Sequence, residues 1–118
     1  LSRSLLIIAD DWEALERYEE RLSQVFSCVE AWPMGGEGLN RATEQKFDCI
    51  VLDLVLEDLT PREAAERLSV SPPMGSPRMI YVGEPSDLQG ILDGPRITKL
   101  VRPFDWSRLI EVTANTAD

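Results

Sequence analysis

Histidine is absent from the 118 residues, and only two cysteines occur. Without histidine the chain cannot be a Ser/His or Cys/His hydrolase or an HExxH protease, and it cannot itself carry a phosphohistidine shuttle. Cys28 and Cys49 lie in apolar stretches without CxxC spacing. Both therefore read as reduced core thiols, and zinc has no ligand set. Basic side chains are the minority, 12 Lys and Arg against 21 Asp and Glu for a net charge of −9. Affinity for a phosphate backbone comes mainly from clustered cations, so no direct nucleic-acid partner is expected. No apolar run approaches the roughly 18 residues that cross a bilayer. The opening LSRSLLIIADD also lacks the basic stretch and cleavage site of a secretion signal, so the expectation is a cytoplasmic protein without a membrane partner. Chemistry must come from carboxylates, Arg or Lys, hydroxyls and backbone.

What is present is 43% hydrophobic and 28% charged, the balance of one compact domain of ordinary size. Short apolar runs alternate with segments of helical spacing, as in a parallel sheet built from βα repeats. Leu5–Ala9 is a continuous apolar run too short for a helix, which reads as an interior strand buried on both faces. Ala14, Leu15, Tyr18, Leu22 and Val25 then recur at helical steps. Cys28–Trp32 reads as a second strand, followed by a glycine-laden helix over Glu37–Gln45. Cys49–Leu52 is a second fully apolar strand, and Pro61 opens a helix, as proline does at a first helical position. Met79–Val82 reads as the fourth strand, closed by Gly83. A helix over Pro85–Asp93 leads to a fifth strand at Ile97–Val101. A last helix from Asp105 should turn Trp106, Leu109, Ile110 and Ala114 inward. Right-handed crossovers between five such strands give a doubly wound α/β three-layer sandwich with strand order 2-1-3-4-5.

Ligands of such sheets bind at the carboxyl ends of the strands, beside the point where strand order reverses. Strand one ends in Asp10 and Asp11, strand three in Asp53, strand four in Gly83 and strand five in Arg102. An Asp pair after a strand also makes a good helix cap, and that reading stays open. Three carboxylates at one rim repel unless a cation neutralises them, and hard oxygen ligands select Mg²⁺. Asp53 is then a candidate phosphoryl acceptor, since carboxylates form aspartyl phosphates, and Arg102 is positioned to hold the phosphoryl group from the other side.

These residues resemble the receiver domains of two-component response regulators over essentially the whole chain. LLIIADD is similar to the opening strand and acidic pair of that CheY-like family, AWPMGGEGL to the stretch after strand two, and FDCIVLDLVLEDLTP to the phosphoacceptor strand and loop. VRPF stands where the family closes strand five with lysine, proline and phenylalanine. The resemblance implies Asp53 as phosphoacceptor and metal contact, Asp11 as a direct Mg²⁺ ligand, Asp10 as a ligand through water and the Val55 backbone carbonyl as a further contact. It implies a histidine kinase as phosphoryl donor and a cis peptide bond before Pro103. It also implies a homodimer or output-domain surface on the face of the fourth helix, fifth strand and last helix. The expected unit is one receiver domain over residues 1–118, part of a longer protein because Leu1 is not a Met. A flavodoxin-type phosphate loop is excluded by Asp10 and Asp11, whose charges would repel the flavin phosphate.

Departures from the family fall on the switch. Gly83 replaces the hydroxyl residue at the end of strand four, Arg102 the lysine, Lys99 the aromatic, Glu57 a loop proline and Pro61 a later glycine, while Glu84 adds an acid. Bland explanations exist for several: Gly83 as a turn with positive φ, Lys99 as a side chain snorkelling from an edge strand. Trp12, Trp32 and Trp106 read as packing residues. The expected function is Mg²⁺-dependent phosphoryl acceptance on Asp53 in a phosphorelay, short of conventional enzyme activity. The alternative is a pseudo-receiver that docks partners without phosphorylation.

Overall fold

The computed structural model describes residues 3–114; the ends of the expected 1–118 domain lie outside them. Ten elements alternate strictly: β1 (Ser4–Ile8), α1 (Trp12–Leu22), β2 (Cys28–Trp32), α2 (Gly35–Glu44), β3 (Cys49–Asp53), α3 (Pro61–Val70), β4 (Arg78–Gly83), α4 (Pro85–Leu88), β5 (Ile97–Val101) and α5 (Trp106–Ala114). The strands form one parallel sheet in the order β2-β1-β3-β4-β5, as the sequence predicts.

Strand alternation divides the core between two layers. Leu5 and Ile7 of β1, Val51 of β3 and Ile80 and Val82 of β4 pack beneath α1 and α5, against Leu15, Tyr18, Leu22, Leu109 and Val112. Leu6, Ile8, Ile50, Leu52 and Tyr81 face the other way, toward Leu39, Ala42, Ala64 and Leu88 of α2, α3 and α4. Burial on both faces is why β1 and β3 read as unbroken apolar runs. The α2 layer sits unusually close: a Cβ added at Gly38 would lie 2.6 Å from Ile8 Cγ1. Among the described residues no helix is long and apolar enough to cross a membrane.

Several sequence expectations are corrected. Cys49 is buried and free, but Cys28 is exposed, because it opens β2 at the sheet edge. Trp12 is 66% exposed: it occupies the first position of α1, ahead of the Leu15, Tyr18 and Leu22 face that docks on the sheet. Gly83 has no positive φ, since Gly75 is the one described glycine in that region. Ala114 is exposed and Thr113 takes the inward place, one turn beyond Leu109 and Ile110. The helix expected over Pro85–Asp93 stops at Leu88. Beyond it the Ile91 carbonyl accepts a hydrogen bond from Lys99 Nζ at 2.6 Å, and Gly90 weakens any continuation. The short α4 leaves a groove of about 1110 Å³ beside α3, floored by Tyr81 and Ile97. Lys99 also pairs with Asp93 at 3.0 Å, keeping its charge at the sheet edge in the manner expected of it.

Candidate functional site

Strand ends assemble the site. Asp53 closes β3, and its residue is only 3% exposed. One carboxylate oxygen, Oδ1, accepts the Val55 backbone N–H at 3.0 Å. The other, Oδ2, is in direct ion-pair contact with Arg102 Nη2. A buried carboxylate is tolerated only when paired and hydrogen-bonded, and here both conditions are met.

Arg102 follows β5 and is fixed at its backbone, where its N–H donates to the Gly83 carbonyl at 3.0 Å. The Arg102–Pro103 peptide bond is cis, as expected from the resemblance. Behind it Tyr18, Phe104 and Trp106 form an aromatic cluster with ring centroids 5.1 to 6.2 Å apart. Burial pushes the Tyr18 hydroxyl up to about 12, partly countered by the Arg102 charge. The Arg102 charge thus acts on both Asp53 and Tyr18.

The acidic pair after β1 is placed differently. Asp11 is exposed and caps α1, its carboxylate accepting the Glu13 N–H at 3.1 Å; the capping role and a rim position coincide in one residue. Asp10 is half-buried. Among the described residues no three Asp, Glu, Cys or His side chains stand close enough to share a metal ion. The donor chemistry of Asp10, Asp11, Asp53 and the Val55 carbonyl suits a hard divalent cation. The arrangement does not: Asp53 is engaged by Arg102 and Asp11 by its own helix. As placed, these residues do not fit a ready-made Mg²⁺ site.

At the end of β4, Gly83 is buried and offers no side-chain donor. The space where a side chain would begin is crowded by Asp87, with Cβ at 3.1 Å and Oδ2 at 3.2 Å. Asp87 is held there by accepting the Glu84 N–H at 3.0 Å. A cavity of about 300 Å³ opens between Asp87 and the loop from Leu54 to Pro61, with Val55 and Glu57 on its wall.

Sequence reasoning missed Asp87 and Asp58. The Asp58 carboxylate accepts the Gly35 and Gly36 N–H groups at 2.9 and 2.8 Å, tying the loop after β3 to the start of α2. This clamp is why α2 begins at Gly35 rather than Glu37. Burial raises the Asp58 carboxyl, but the bonds from Gly36 and Gly35, with Arg67 nearby, outweigh it and hold the group below its usual range. The paired glycines at the start of α2 were the local sign that an acceptor must come from elsewhere.

Neither a protein-family model nor a curated protein sequence matches the chain. Solved structures do. A response regulator receiver domain (CheY-like) from Methylobacillus flagellatus has a TM-score of 0.76 at 20% identity, with 98% of this chain and 99% of that one covered. The chemotaxis response regulator CheY4 of Vibrio cholerae gives 0.72 at 16%, covering 98% and 99%. The receiver domain of a sensor histidine kinase from Pseudomonas aeruginosa, solved with magnesium coordinated in its active-site cleft, gives 0.78 at 18%, covering all of both chains. The chain has the CheY-like receiver fold.

Proposed function

We propose that this domain accepts a phosphoryl group on Asp53 from a histidine kinase, as the receiving step of a two-component phosphorelay. The observation that carries this reading is one nearly fully buried carboxylate at the end of β3, facing a guanidinium from β5. Its position at the strand-order reversal is where doubly wound sheets bind their ligands. An Asp53 oxygen attacks phosphorus of a phosphohistidine, a P–O bond forms as the P–N bond breaks, and the imidazole leaves with that electron pair and takes a proton from water. Arg102 balances charge on the phosphoryl oxygens, the electrostatic part of such a transfer. Magnesium in the Pseudomonas neighbour supports a divalent cation as cofactor here too, with Asp10, Asp11, Asp53 and the Val55 carbonyl as its contacts once Arg102 releases Asp53. The face of α4, β5 and α5 is the proposed surface for an output domain or a second copy, and the domain is proposed to work in the cytoplasm, within a longer protein.

Intact-mass measurement and Phos-tag electrophoresis after incubation with acetyl phosphate, with Mg²⁺ or with EDTA, test this reading. One phosphoryl adduct is expected on the wild type and none on Asp53→Ala. An unmodified wild type, or an adduct that persists in Asp53→Ala, overturns it.

A further inference from the structure

Both oxygens of Asp53 already have partners, and one of those partners is a full positive charge. Oδ1 accepts the Val55 N–H and Oδ2 meets Arg102 Nη2, while Asp11 turns its carboxylate onto Glu13 of its own helix. The cation that a buried acidic site requires is therefore supplied by the chain. We infer that Arg102 is a resident counter-ion of Asp53 that competes with divalent cations, so that metal and phosphoryl donor reach the acceptor only when the guanidinium moves aside. The inference rests on the reading of Asp53 as acceptor only for the phosphoryl donor; competition with metal stands without it.

Three features favour the competition. A tethered cation acts at high effective concentration, which an ion from solution has to overcome. A guanidinium is always charged and more weakly hydrated than an ammonium, so it enters a buried carboxylate site at lower desolvation cost. Its backbone is fixed to Gly83 at 3.0 Å, yet its side chain keeps 30% exposure, which leaves it a path to solvent. A divalent ion arriving while Arg102 is in place would meet like charge across Asp53.

The probes are Mg²⁺, titrated calorimetrically, and Mn²⁺, followed by paramagnetic resonance, into wild type, Arg102→Ala and Arg102→Gln. Metal affinity is expected to rise at least about tenfold in both variants and to fall back when Asp53→Asn is added to Arg102→Ala. Equal affinity in wild type and both variants overturns the inference. A measurement on chains that keep Arg102 guards against misfolding of the variants. The Arg102 Nη–H resonances should exchange slowly in wild type, weaken as Mg²⁺ is added, and exchange fast in Asp53→Asn. A resonance indifferent to both changes overturns the inference. Phosphorylation of the wild type with unchanged metal affinity in the Arg102 variants would reject the counter-ion and keep the acceptor. Tighter metal binding in those variants with no phosphoryl adduct on any chain would keep the counter-ion and reject the acceptor.

Discussion

The carboxyl rim of the sheet has two unlike halves. On the β1 and β3 side, Asp53 closes β3 and is buried, Asp11 caps α1, and the loop after Asp53 is tied to α2 through Asp58. On the β4 and β5 side, Gly83 has no hydroxyl, Asp87 crowds the space above it, α4 is a single turn, and Lys99 anchors the loop beyond at the Ile91 carbonyl. Arg102 crosses from the second half to the first. The first half positions the buried Asp53 carboxylate. The second is where a receiver would convert modification into movement, and here it is filled and fixed by other contacts.

The largest stability effect should come from the first half, whose layers pack closest. In Gly38→Val the new Cβ would begin 2.6 Å from Ile8 Cγ1 and 2.8 Å from its Cδ1, against a side chain with no exposure. Either α2 lifts from β1 or Ile8 leaves its rotamer, with an expected loss of about 2–3 kcal/mol in urea unfolding. Ile8→Ala added to Gly38→Val should lose less than the two single losses together. Additive losses would mean that α2 is not held against β1 in the way described.

How much of this was legible in the sequence follows the same division. The apolar runs of β1 and β3 could be read because both faces are buried, so propensity, pattern and packing agree. Asp53, Arg102 and the rim were legible because topology alone brings strand ends together. The length of α4 was not: a helical pattern from Pro85 to Asp93 gives no sign that Lys99 of β5 will claim the Ile91 carbonyl. Trp12 and Cys28 were misplaced for a related reason, since an aromatic or thiol at the first residue of an element lies outside the periodic face that docks. The Asp58 carboxylate acts across the chain on amides of another turn, which no local spacing marks, whereas Asp87 bonds Glu84 three residues before it and its effect on Gly83 follows from that local cap.

A smaller effect tests the second half. Restoring a hydroxyl by Gly83→Ser puts a Cβ 3.1 Å from Asp87 Cβ and 3.2 Å from its Oδ2. The expected loss is about 1–2 kcal/mol by overpacking. Asp87→Ala removes the obstruction, so the double variant should show a favourable coupling of at least about 0.5 kcal/mol in a thermodynamic cycle. Strict additivity would mean that Asp87 does not fill the place of the missing side chain, and the contrast between the halves would lose its structural basis on β4.

The smallest effect is carried by the Asp58 clamp and is best seen as a function of pH. The folded carboxyl sits below its usual range, despite burial, because the Gly36 and Gly35 amides and Arg67 favour its charged form. Such a group contributes stability that is fully present above its unfolded pKa, about 4, and that is lost as pH falls through the lower folded value. Amide exchange at Gly35 and Gly36 should therefore lose protection below about pH 4. Asn keeps an acceptor oxygen for one of the two amides but no charge, so Asp58→Asn should lower stability at neutral pH by roughly 0.5–1 kcal/mol and flatten that part of the pH profile. The Arg102 Nη–H resonances should be unchanged in this variant, because Asp58 bonds the start of α2 whereas Asp53 bonds Arg102 Nη2. A resonance that shifts with Asp58 would show that the loop after Asp53 transmits between the two halves, and that the rim moves as one unit.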